Sequence, residues 1–156
     1  MSGNRFDPIS GHYFLSNSIK LIMNINELFF ETESPFGFQE TIDRLTQSIT
    51  VMGWKMPAVH DLQQTMLNYG KEVLPVKVFE ICHPKHSSRI LEKNDERIVS
   101  ALMPCRISVY EKQNKKTFIS RLNSGTMAAS IGGIISEVMS DATHDVEQII
   151  ELAIKN

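Results

Sequence analysis

Three runs between Pro75 and Asn123 constrain the fold more than any other feature of this chain: Val76 to Cys82, Cys105 to Glu111 and Lys116 to Leu122. All three are rich in β-branched and aromatic residues, which suit a pleated surface. Lys112-Gln113-Asn114-Lys115 joins the last two with turn-forming residues, so the spacing predicts a β-hairpin. A chain with a hairpin and a third strand beside it must bury one sheet face against something. The rest of the sequence supplies helices for that purpose.

Phe38, Ile42, Leu45, Ile49 and Met52 recur at alternating steps of four and three, which draws one apolar stripe along a helix. Ser34 and Pro35 are expected as its cap and first-turn residue, and Gly53 as its stop. Leu28 to Thr32 reads as a short strand before it, and Trp54 to Ala58 as a strand after it. Pro57, with no N–H to give to a ladder, puts that second strand at an edge or a bulge. Asp61 is the expected cap of a short helix closed by Gly70. His83 and Pro84 then open another helix directly after Cys82. Asn94 to Glu96 reads as a polar connection. From Ile134, the spacing of Val138, Ala142, Val146, Ile149 and Ala153 predicts one long amphipathic helix. The expected architecture is α+β, with a mostly antiparallel sheet of about five strands, helices packed on one face and a long C-terminal helix. Residues 1–26 lack clean periodicity and read as an N-terminal extension to a single domain spanning 27–156.

At 156 residues the chain is large enough to bury a substantial core. Its formal charge of −2 argues against a nucleic-acid partner, which calls for a basic excess. No apolar run approaches the length of about 18 residues that marks a membrane span, and the N-terminus lacks the basic-then-apolar order of a secretion signal. A cytoplasmic location is therefore expected. There the two cysteines are thiols unless they serve redox or metal chemistry.

Cys82 and Cys105 end one strand and begin another, so antiparallel neighbours would bring the thiols together. A thiol at a helix N-terminus is drawn toward thiolate by unpaired N–H groups. His86, one turn into that helix, and His60, at the end of the Trp54 strand, are further donors, and the set Cys82, Cys105, His60 and His86 suits zinc or copper. Against this stands the commonest fate of a strand cysteine, a buried and inert thiol. Arg106, Ser108 and Tyr110 alternate along the second run and mark a polar face that could hold a small ligand or a partner protein. Glu80 and Glu111 read as solvent-face charges. Walker-type, nucleophile-elbow and zincin motifs are missing, so no catalytic residue is assigned.

Four segments, taken together, resemble the family called domain of unknown function 302: Phe30 to Phe38, His60-Asp61-Leu62-Gln63, Ile81-Cys82-His83-Pro84 and Met103 to Glu111. The resemblance spans about residues 28 to 152 in the right order. It implies an α+β fold with helices on one face of a curved antiparallel sheet, and a homodimer. It implies no activity. Two functions are expected in consequence: a homodimeric binding module for a small ligand or partner protein, or a Cys/His thiol-redox or metal-binding protein.

Overall fold

A computed structural model describes residues 5–7, 12–14 and 25–155. The expected N-terminal extension therefore lies largely outside the described residues. Within it, β1 (Arg5–Asp7) and β2 (His12–Phe14) pair antiparallel. A short α1 (Ile25–Leu28) leads into β3 (Phe29–Glu33), one residue later than the strand predicted from Leu28.

The apolar stripe becomes α2 (Phe38–Val51), with Ile42, Leu45 and Ile49 buried. Each such side chain contributes about 1.5–3 kcal/mol relative to exposure. Gly53, at φ +77°, ends the helix as expected, because a left-handed residue costs glycine little. The start differs from expectation: Gly37 is the cap, and Ser34 does not cap. Instead the Ser34 hydroxyl lies 2.7 Å from that of Thr41, and its backbone N–H donates to Thr117 O. Ser34 thus continues directly from β3, and its hydroxyl braces the helix from the side.

β4 (Lys55–Asp61) is an edge strand with an irregularity between Lys55 and Ala58, as Pro57 demands. Asp61 accepts a 2.8 Å bond from Gln64 N and caps α3 (Leu62–Asn68). β5 (Val76–Cys82) runs into α4 (Pro84–Leu91), whose cap is His83. The stretch read as a polar connection instead opens a 3₁₀ segment, Asp95–Leu102, because Val99 behind it is buried. The hairpin is β6 (Cys105–Glu111) and β7 (Thr117–Leu122). An unpredicted short helix, α5 (Ser124–Ala129), capped by Asn123, precedes the long α6 (Gly133–Ile154).

The main sheet is antiparallel throughout, in the order β3-β7-β6-β5-β4. Its register sorts side chains into rows that cross all five strands. One row runs Val59, Phe79, Ile107, Arg121, Phe30, and the next runs His60, Val78, Ser108, Ser120, Glu31. Directly opposed residues share a face, so adjacent rows point to opposite sides. The first row faces the helices: Phe79, Ile107 and their neighbours Ile81, Val109 and Ile119 pack with α2 and α6 into one core. The second row lies on the open face. A smaller core joins Ile90, Val99, Ala128, Ile135, Val138 and Met139. No helix among the described residues is long and apolar enough to cross a membrane.

Candidate functional site

Cys105 stands opposite Ile81 and so points toward the helices. Burial pushes its thiol up to about 11, and the nearby Cys82 adds to the shift. Cys82 Sγ lies 3.0 Å from Ser87 Oγ, one turn into α4. Both thiols border a small cavity of about 30 Å³, together with Trp54, His83, His86 and Met103. The three rings of that wall touch: Trp54 to His83 at 5.6 Å, Trp54 to His86 at 5.7 Å and His83 to His86 at 5.3 Å between centroids. His86 Nε2 is 2.8 Å from Asp145 Oδ2, whereas the buried His86 Nδ1 and Trp54 Nε1 have no hydrogen-bond partner among the described residues.

The structure therefore brings Cys82, Cys105 and His86 to one place and adds His83, which the sequence suggested only as a cap. His60 is elsewhere: it projects from the open face, 3.1 Å from Glu80. Among the described residues, no three His, Cys, Asp or Glu side chains are arranged to hold a metal ion. His144 is exposed.

Arg106, Ser108 and Tyr110 share the open face but turn toward different partners. Arg106 Nη2 is 3.4 Å from Glu80 Oε1, with 63% of its side chain exposed. Tyr110 donates to Glu31, and burial followed by that bond raises the phenol to about 12. Lys112, 2.8 Å from Glu31, and the Tyr110 hydroxyl together hold the Glu31 carboxyl below its ordinary value. Tyr110 also stacks on Phe118, over whose ring Lys112 Nζ sits at 3.9 Å. The result is a closed latch over the hairpin, with Ser108 between it and the Arg106 pair.

A larger cavity, of about 200 Å³, lies on the helix side where the start of β6 and the end of β7 meet α5 and α6. Leu102, Met103, Pro104, Met127, Met139 and Val146 give it apolar walls, and Arg121 and Glu147 also line it. Arg121 is 8% exposed. Its Nε donates to Glu147 Oε1 at 2.7 Å, Nη2 donates to Glu147 Oε2, and Nη1 donates to Thr32 Oγ1 at 2.7 Å. This fork-to-fork geometry is the strong form of the arginine–carboxylate pair. Phe30 adds its ring, 5.3 Å from the guanidinium carbon. Behind the cavity, Thr143 Oγ1 donates to Met139 O and accepts from Gly125 N, which ties α5 to α6. Leu102, Met103, Pro104, Cys105, Met139 and Ala142 border both cavities and so form a common wall.

Arg121 went unremarked in the sequence although a signal was present. It sits two positions from Ile119 on a strand whose odd-numbered residues face the core, so a charge there had to be buried and paired.

The class defined by these features is an α+β domain in which one face of a five-stranded antiparallel sheet is roofed by helices, with a paired charge buried between the layers. Residues 30–155 match the family described as Domain of unknown function DUF302, and the chain belongs to that family. Among solved structures it is similar to an uncharacterised conserved DUF302 protein from Bacillus stearothermophilus, with a TM-score of 0.72 and 20% identity over 80% of this chain and 97% of the other. At that identity the likeness establishes the fold alone. No curated protein matches the chain.

Proposed function

We propose that this protein is a non-catalytic binding module that holds a small organic molecule in the larger cavity. The observation that carries this reading is a cavity of about 200 Å³ that combines mainly apolar walls with one fully formed ion pair between a buried arginine and a half-buried glutamate. Binding sites for small molecules have that composition: apolar lining for affinity and a few fixed polar groups for orientation. Arg106, expected from the sequence to contact a ligand, touches the rim of this cavity but turns its side chain to Glu80 on the open face. The proposal includes a cytoplasmic homodimer, supported by the composition and the family resemblance. The test is ligand-observed NMR with a fragment library on wild type and on Met127→Trp, whose indole would fill the cavity from α5. Binders lost in the variant support the reading, and a wild type that binds no fragment removes it.

A second reading, thiol chemistry at the smaller cavity, is favoured by one observation: Cys82 and Cys105 are close enough for one to shift the other's proton affinity. Zinc or copper handling belongs to this reading. Thiol titration and elemental analysis of native and Cys82→Ala protein test it, and two thiols equally slow in both samples, with no bound metal, would remove it.

A further inference from the structure

From the charge arrangement of the larger cavity, we infer that its ligand is a neutral molecule whose apolar body carries one head group able both to donate and to accept a hydrogen bond, such as a hydroxyl or a primary amide. The inference rests on the reading of that cavity as a ligand site. The Arg121–Glu147 pair keeps hydrogen-bonding groups in reserve. A guanidinium has five N–H donors, and three of Arg121's are committed, two to Glu147 and one to Thr32. Two remain. A carboxylate offers about four acceptor sites, and Glu147 uses one on each oxygen for Arg121. Spare donors and spare acceptors therefore lie side by side on a pair whose charges cancel.

That arrangement gives neither sign of ligand charge a net opposite charge to replace the water it leaves behind. A carboxylate entering the cavity can take the two spare N–H groups of Arg121, but it then meets the like charge of Glu147 beside them, so its attraction to the guanidinium is cancelled while its own hydration is lost. An ammonium meets Arg121 in the same way. The other cation of the lining, Arg106, is exposed and engaged with Glu80 on the opposite face, so solvent screens its attraction for an anion. Discrimination thus comes from the uncompensated desolvation of a charged head group. The body of the ligand is less closely specified. Met103, Met127 and Met139 supply flexible, polarisable walls that adapt to varied apolar shapes.

The test uses three probes with one body: p-cresol, p-toluate and p-methylbenzylammonium, titrated calorimetrically into the full chain at neutral pH. The expected order has p-cresol at least about tenfold tighter than either ion. Glu147→Gln removes the repulsion and leaves Arg121 unpaired, so p-toluate becomes the tightest of the three. Should that variant fail to fold, the double variant Arg121→Met/Glu147→Leu, close in volume, is expected to bind toluene as well as p-cresol and to lose the preference for a polar head. A wild type that prefers p-toluate, or variants that leave the order unchanged, would overturn the inference and leave the cavity as a ligand site. A wild type that binds none of the probes and no fragment displaced by Met127→Trp overturns the cavity reading itself.

Discussion

Two arginines, fifteen positions apart on neighbouring strands, show what each face of this sheet does to a charge. Arg106 points to the open face, lies 3.4 Å from Glu80 and keeps 63% of its side chain in solvent. Arg121 points to the helix side, is 8% exposed and grips Glu147 with both arms of its fork. Solvent screens the first pair and leaves it worth little. The second pair has lost much of its hydration, with 7% of the Arg121 side chain and 32% of the Glu147 side chain exposed, so each partner depends on the other. The same residue type is thus a surface ornament on one face and part of the interior on the other.

The contrast is sharpened first by deleting a neighbour from each row. Ile107→Ala, at a fully buried site, is expected to lose about 3–4 kcal/mol of stability through lost burial and the cavity left behind, whereas Ser108→Ala should stay within about 0.5 kcal/mol, both by urea denaturation. Arg121→Ala comes next, at about 3 kcal/mol, because it strands Glu147 in a partly dry site. A loss near zero would mean that water reaches the pair and that the cavity is open.

Smaller again is the alkaline response of Cys105. Its thiol holds its proton up to about 11 in the fold, against 9.0 ordinarily, so the unfolded chain releases it first. The contribution is fully present below pH 9 and is lost as pH rises through about 11. Cys105→Ala should flatten the stability profile over that interval, measured by thermal melts at stepped pH. The smallest expected effect is that of Arg106→Ala, under about 0.5 kcal/mol, and a larger one would show that the open face is covered in solution.

How much of this could be read from residues alone depends on the range of the interaction concerned. β5 and β6 match the predicted runs residue for residue, because alternation and β-branching are local properties. The Asp61 cap and the Gly53 stop were legible for the same reason. Ser34 misled because a serine before a proline carries the signature of a cap, while its actual partner, Thr41, lies seven residues on and its strand partner is Thr117. α5 escaped notice because Ser124 to Ala129 buries only Ala128 and so leaves no periodic stripe. The thiols were placed together correctly by strand adjacency, but His60 was not, since the irregularity in β4 sets which face it occupies. The larger cavity was illegible as a whole, being assembled from the 3₁₀ segment, two strands and two helices that share no motif.

The place of β3 in the sheet also sets an order of assembly. It pairs with β7, and Thr32 meets Arg121 across 89 residues of sequence. The β6–β7 hairpin closes through near neighbours and can form early, whereas β3 can dock only after nearly the whole domain has been made. α6, which roofs the core, is translated later still. During synthesis β3 therefore waits, unpaired, for a strand that leaves the ribosome long after it. That interval is when this chain is most exposed to pairing with the wrong partner.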